Sequence, residues 1–279
     1  CPANGAWTMI PDRARLVPKS FIYREAHFTY FNQDSGIPIL FLHGFLENST
    51  MWQALWSGLP RSWRKLALDL PGHGGSDNLA PFHRMEDMAE VVASFLDFKK
   101  IDGAVICGHS MGGYVALAFA EKYPERVRGI CLLNSGPWAD SEAKKAQRDR
   151  AMQLVKRNYR SYVRQAIPLL FRPKNRRNLL EAVRWAKAEA LHTSAQGIEA
   201  ALEGMKQRPD RSQLFHFAPY PIAVISGRHD SLFPLEQWRD LIRDSGRSHY
   251  LVEDGHMSHL EDFPGTLDAL CQIFATWRG

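Results

Sequence analysis

Ala104-Val105-Ile106-Cys107-Gly108-His109-Ser110-Met111-Gly112-Gly113 is the stretch that decides the fold of this chain. Its first four residues form a short apolar run without alternation, as in a strand covered on both faces. From Tyr114 to Lys122 the chain continues as a helix that stops before Pro124. Gly108-x-Ser110-x-Gly112 therefore lies between a strand and a helix, the context that makes this motif a nucleophile elbow rather than a chance match. The turn is so tight that side chains at the two glycines would meet neighbouring backbone. It projects Ser110 above the sheet, and it turns the Met111 N–H and the helix dipole toward a developing anion.

Working outward, Ile37 to Leu42, Lys65 to Leu70, Val127 to Leu133 and Ile222 to Ser226 are further short apolar runs, and His249 to Val252 is another strand. Phe21 to Phe31 alternates and predicts one or two opening strands. Met85, Met88, Ala89, Val92, Phe95 and Leu96 fall at helical spacing and predict an amphipathic helix over 84–98. Helices over Leu235 to Arg243 and Pro264 to Trp277 complete an alternation of strand and helix. That rhythm is the pattern of an α/β fold, an open and mostly parallel sheet with helices on both faces.

The rhythm breaks between Trp138 and Pro219, where only helical patterns occur, so an insertion is expected there. The expected organisation is an irregular extension over 1–20, an α/β core over 21–137 and 220–279, and a helical cap over 138–219. Charge divides the same way. The cap carries 17 Lys plus Arg against 8 Asp plus Glu, and the remainder 18 against 22. The formal net charge of +5 therefore averages a basic cap over a mildly acidic body.

With 279 residues, 45% hydrophobic and 23% charged, the composition is that of a folded globular chain and not a disordered one. The thin positive surplus gives no argument for a nucleic-acid partner. No run of about 18 apolar residues reads as a membrane span, so neither nucleic acid nor membrane is expected as a partner, and oligomeric state is left open. The chain starts at Cys1 rather than Met and lacks a charged start leading into an apolar stretch, which fits a processed end. Cys107 and Cys131 sit inside apolar runs as small hydrophobes. With Cys1 and Cys271 they form no CxxC or zinc spacing, which favours a reducing, cytoplasmic compartment. The 11 histidines show no HxH or HExxH arrangement with a carboxylate partner, and neither GxGxxG nor a P-loop is present. No metal and no cofactor is expected.

A serine hydroxyl needs a base, itself oriented by an acid. In this architecture both arrive on loops at the C-terminal ends of later strands. Gly227-Arg228-His229-Asp230 follows one such strand, and Asp254-Gly255-His256 follows the next. The order Ser110, Asp230, His256 is that of an α/β-hydrolase triad.

On these residues the chain resembles the α/β-hydrolase superfamily from about residue 21 to 277. The cap matches only in position and helical character. The resemblance implies an eight-stranded sheet, Ser110 as nucleophile, Asp230 as the acid after the seventh strand and His256 as the base after the eighth. His43-Gly44-Phe45-Leu46 is similar to the family's oxyanion loop, so the Phe45 N–H is expected to join that of Met111. Asp69 to Ser76 resembles a family loop of mainly structural role. His259 is expected to lie beyond the base loop, His109 to pack behind the nucleophile, and His73 and His229 to serve turns. Relatives that carry the acid after the sixth strand have a carboxylate where this chain reads Asn134-Ser135-Gly136, which strengthens Asp230. Glu253, Asp254, Glu261 and Asp262 read as solvated loop carboxylates. Trp138, Met152, Tyr159, Tyr162, Leu169, Leu170, Phe171, Trp185 and Met205 are candidates to face a pocket, although at helical spacing core packing is the expected role for most of them.

The resemblance implies a serine hydrolase cleaving an ester-like bond, a carboxylic ester or thioester, of a small molecule through an acyl-enzyme. A serine at the elbow excludes the relatives that use an aspartate nucleophile. Two alternatives remain: a lyase similar to SHCHC synthase acting on an anionic substrate, which a basic cap would suit, and a ligand-binding member with little turnover. Fold and triad do not choose among the serine members.

Overall fold

A computed structural model of the protein describes residues 17–33 and 35–277. Residues 1–16, which hold most of the expected extension and Cys1, lie outside the described residues. Eight strands form one sheet: β1 (Lys19–Tyr23), β2 (Ala26–Gln33), β3 (Ile37–Leu42), β4 (Trp63–Leu68), β5 (Ala104–His109), β6 (Val127–Leu133), β7 (Ile222–Gly227) and β8 (Ser248–Val252). Their order is β1-β2-β4-β3-β5-β6-β7-β8. The β1–β2 and β2–β4 pairs are antiparallel, and every pair from β4 across to β8 is parallel.

Both faces of the central strands are buried, and the period-2 pleat sorts their side chains into two cores. Leu40, Leu42, Ile106, Leu132 and Val224 belong to one, while Ile39, Phe41, Cys107, Leu133 and Ile225 belong to the other. The first core is covered by α2 (Met85–Phe98) and α3 (Met111–Lys122), and the second by the short α1 (Gln53–Trp56) and by α11 (Phe263–Thr276). The central strand runs show no alternation in sequence because neither of their faces meets water.

Between β6 and β7 the chain is helical: α4 (Glu142–Leu170), α5 (Asn175–Asn178), α6 (Leu180–Ala190), α7 (Ala195–Gln207) and α8 (Gln213–Phe217). The long α4 is capped by Ser141 and bent at Asn158, which leaves helical geometry. Arg211 ties this segment to the body, its guanidinium donating to Glu121 Oε2 at 2.9 Å and to Glu86 on α2. After β7 come α9 (Leu235–Ser245) and, after β8, the one-turn α10 (Ser258–Glu261). No helix of the described residues is long and apolar enough to cross a membrane.

Two elements differ from the sequence reading. The second parallel strand spans Trp63–Leu68 instead of Lys65 to Leu70. It stops there because the Asp69 N–H turns to Thr29 O (2.9 Å) and the Leu70 N–H donates to His43 Nε2 (2.8 Å). The helical turns over Ser49–Trp52 and Gln53–Trp56 were not foreseen. They are too short to show periodicity, yet they bury Met51, Trp52, Leu55 and Trp56 under the sheet, each worth on the order of 2–3 kcal/mol of apolar burial.

Candidate active site

Ser110 follows the last residue of β5 and precedes the first of α3. Its backbone sits at φ 48°, ψ −114°, a sparsely populated conformation for a residue with a Cβ, costing of order 1–3 kcal/mol. The surroundings hold it there. The Ser110 N–H donates to Leu133 O at 3.1 Å, and Ser110 O accepts from the Ser135 hydroxyl at 2.6 Å. The elbow glycines are required by close approach: a Cβ at Gly108 would stand 2.3 Å from Gly112 O, and one at Gly112 would stand 2.3 Å from Leu42 O.

The structure brings Ser110, His256 and Asp230 together although 146 residues separate the first two. His256 Nε2 lies 3.0 Å from Ser110 Oγ, and His256 Nδ1 lies 2.9 Å from Asp230 Oδ2. These partners assign the tautomer in which Nδ1–H donates to the carboxylate and Nε2 accepts from the hydroxyl. Asp230 is 4% exposed and His256 3%. Asp230 Oδ1 accepts from the Leu232 N–H at 2.8 Å and the Phe233 N–H at 3.3 Å. Burial works to raise the Asp230 carboxyl, but the facing His256 and the hydrogen bonds from His256, Asn134 and Leu232 outweigh it and hold the pKa below the usual value. Asp230 is therefore an anion throughout the neutral range.

Phe45 follows Gly44 on the loop after β3. The loop passes directly over the elbow, since a Cβ at Gly44 would come within 3.2 Å of Ser110 Cβ. Leu46 takes φ 62°, and the Glu47 N–H returns to Gly44 O at 3.2 Å. Among the described residues the Phe45 and Met111 backbone N–H groups donate to no backbone acceptor.

Behind this front row lie residues to which sequence reasoning gave no part in the chemistry. Asn134 occupies the position after β6. Its Nδ2 donates to Asp230 Oδ2 at 3.0 Å and to Gly255 O at 3.2 Å, and its Oδ1 accepts from the Ser258 hydroxyl. The side chain noted for lacking a carboxylate thus steadies both Asp230 and the loop that carries His256. Glu47 was not flagged at all. It is 7% exposed, and its Oε2 accepts from the Gly44 N–H at 2.8 Å and stands 2.6 Å from His109 Nδ1. His109 Nε2 in turn reaches His256 O at 3.0 Å. Burial favours neutral forms for both, yet the pairing wins: Glu47 is lowered to about 2 and His109 is raised. No local pattern reveals this, because 62 residues separate the partners.

His259 is buried against the same pair, its Nε2 3.5 Å from Glu47 Oε1, and burial lowers it to about 3. Glu47, His109 and His259 hold potential ligand atoms within 4.8 Å of one another. Glu47 Oε2 and His109 Nδ1 already pair with each other, whereas Glu47 Oε1 and both ring nitrogens of His259 are buried without a hydrogen-bond partner among the described residues. His229 is exposed on its loop, and His73 Nδ1 pairs with Pro71 O at 3.0 Å. The carboxylates around the base are mostly not solvated as sequence suggested. Asp254 accepts from Arg172 at 3.0 Å. Glu261 takes the Arg172 N–H at 2.7 Å and the Asn175 amide at 3.0 Å, and Asp262 caps α11 through the Gly265 N–H at 3.1 Å. Segment α4–α5 is thereby tied to the loop that carries His256.

Above Ser110 opens a cavity of about 210 Å³ whose walls include Phe45, Tyr162, Leu170, Met205 and Phe233. Of the other expected pocket residues, Phe171 is core, Leu169 is exposed, and Trp138 packs edge-on against Trp238 at 4.7 Å.

With this geometry in place, similarity to known proteins narrows the frame. The family model described as alpha/beta hydrolase fold matches residues 37–263. The chain is 26% identical over 247 residues to the 2-succinyl-6-hydroxy-2,4-cyclohexadiene-1-carboxylate synthase of Enterobacter sp. (strain 638), covering 85% of this chain and 92% of that protein. It is 28% identical over 233 residues to the dihydrolipoyllysine-residue acetyltransferase component of the acetoin cleaving system of Pseudomonas putida, covering 82% of this chain but only 60% of that protein's length. Among solved structures, a thermophilic esterase from Thermogutta terrifontis, malate bound, superposes with a TM-score of 0.86 at 26% identity, covering 95% of this chain and 100% of the esterase. The chain belongs to the α/β-hydrolase fold family.

Proposed function

We propose that the protein is a serine hydrolase that cleaves an ester-like bond of a small molecule through an acyl-enzyme. The observation that carries this reading is the unbroken chain from Ser110 Oγ through His256 to the buried Asp230, opening onto a cavity. His256 takes the hydroxyl proton as Ser110 attacks the carbonyl carbon. Asp230 holds the ring and stabilises the imidazolium. The Phe45 and Met111 N–H groups receive the oxyanion, aided by the α3 dipole. His256 then protonates the leaving group, and a water deprotonated by the same ring releases the acyl group. The malate-bound esterase supports an ester substrate.

The helical segment 138–219 acts as the cap over this site. A cavity of about 210 Å³ under the cap suits a small substrate. The buried free thiols of Cys107 and Cys131 fit a reducing, cytoplasmic compartment. The synthase likeness favours elimination as a second reading, in which product forms without an acyl-enzyme.

The test is hydrolysis of short aryl esters by the wild type, Ser110→Ala and His256→Ala. Each substitution removes about 10⁴-fold or more of the rate, non-additively. A Ser110→Ala rate near that of the wild type would overturn the reading.

A further inference from the structure

The cavity over Ser110 is not uniformly apolar. Two cations of α4, Lys144 and Arg148, stand in its wall one helical turn apart, and their charge is incompletely compensated. Asp140 is the carboxylate nearest to hand, and it is shared: Arg148 Nε and Nη2 donate to it, and Arg208 Nη1 lies 2.8 Å from its Oδ1. Arg208 is otherwise committed to the protein, lying 3.9 Å over the Tyr114 ring and donating to Met205 O at 2.7 Å. One anion thus faces two guanidinium groups before Lys144 is counted.

Neither cavity-facing cation is saturated. Arg148 Nη1 has only the Met205 thioether, at 3.5 Å, a weak acceptor. Lys144 has no carboxylate within ion-pair distance among the described residues. Its ammonium donates to Leu232 O at 3.2 Å and sits 5.3 Å over the Phe233 ring. Phe233 in turn stacks on the His256 ring at 6.0 Å, so this cation is a single aromatic ring away from the base. Burial and the neighbouring Arg208 and Arg148 disfavour the Lys144 charge, while Asp140 and Asp230 favour it, and the net effect lowers its pKa. A ligand anion there would relieve that repulsion. By contrast Lys145, the next residue, points outward to Glu142 at 2.8 Å.

We propose that Lys144 and Arg148 form a carboxylate-binding subsite in the wall of the Ser110 cavity, so that the substrate is a small ester carrying a free carboxylate. This rests on the hydrolase reading for the word ester, and on the cavity wall alone for the carboxylate. The free Arg148 N–H and the three rotatable ammonium donors of Lys144 supply charge-assisted hydrogen bonds, which are stronger than neutral ones. The small cavity brings such a group close to the scissile bond.

The test compares matched esters that differ in one charge. On the acyl side the pair is 4-nitrophenyl hemisuccinate against 4-nitrophenyl butyrate; on the alcohol side it is 4-acetoxybenzoate against its methyl ester. In at least one pair the carboxylate form is favoured about ten-fold or more in kcat/KM, carried by KM. Lys144→Gln and Arg148→Gln each collapse that ratio toward one, and Lys145→Gln retains it. Ser110-dependent hydrolysis with no preference in either pair overturns the subsite and leaves the hydrolase reading standing. If no ester is cleaved, the hydrolase reading fails, and calorimetry with monomethyl succinate against methyl butyrate decides the subsite. Binding of the anion that Lys144→Gln weakens supports it, and equal or absent binding of both overturns it.

Discussion

Glu47→Gln is the substitution whose consequence follows most fully from the structure. The side chain keeps its shape, so the bond from the Gly44 N–H survives on the amide oxygen, but the charge that faces His109 is lost. Glu47 is lowered from 4.5 to about 2: burial opposes the anion, and His109, His259 and His43 more than compensate. A depression of that size caps the stabilisation at about 3 kcal/mol. Because the folded value lies below the unfolded one, the contribution is complete above pH 4.5 and is lost as pH falls toward 2. His109 is shifted the other way, above 6.5, so its share is complete below 6.5 and is lost as pH rises through the folded value. The stability difference between wild type and Glu47→Gln is therefore greatest between pH 4.5 and 6.5. Below 4.5 it shrinks by about 1.4 kcal/mol per pH unit. Urea unfolding of both proteins from pH 3.5 to 8.5 reads this directly. At the plateau a gap of about 3 kcal/mol corresponds to roughly 6–12 °C in Tm. A difference that stays constant across the whole range would refute the pairing and reduce Glu47 to a packing residue.

Other outcomes follow from the same geometry. Asn134→Ala removes a donor that favours the Asp230 anion; kcat/KM falls about 10–100-fold, and the acid limb of the pH–rate profile moves to higher pH. Gly112→Ala places a Cβ 2.3 Å from Leu42 O and 2.7 Å from His43 O, so thermal unfolding shows a loss of about 3 kcal/mol or more. Across a series of 4-nitrophenyl esters kcat/KM falls as the acyl chain outgrows a cavity of about 210 Å³. Undiminished activity on a twelve-carbon ester would show that the cap opens far wider than this structure allows.

The strand runs and the elbow were legible because each is a local pattern. Gly108-His109-Ser110-Met111-Gly112 carries its own turn geometry, and Ile37 to Leu42 or Ile222 to Ser226 show burial on two faces within six residues. Asp230 and His256 were legible by their place after strands. What escaped were pairings across the fold. Glu47 meets His109, and Asn134 meets Asp230, only once β3, β5, β6 and β7 lie side by side, and no spacing encodes that. Asp254 and Glu261 read as solvated because their partners, Arg172 and Asn175, belong to a segment far away in sequence. The short helical turns over 49–56 escaped because each is only four residues long, too short for a helical pattern to stand out.

Ser110, hydrogen-bonded to His256, is proposed to be an activated nucleophile. Intact-mass spectrometry after a fluorophosphonate probe, followed by peptide mapping, tests it without knowledge of the natural substrate. A single adduct on Ser110 is expected in the wild type, its formation strongly slowed in His256→Ala and absent in Ser110→Ala. An unlabelled wild type, or an adduct that persists in Ser110→Ala, would contradict it.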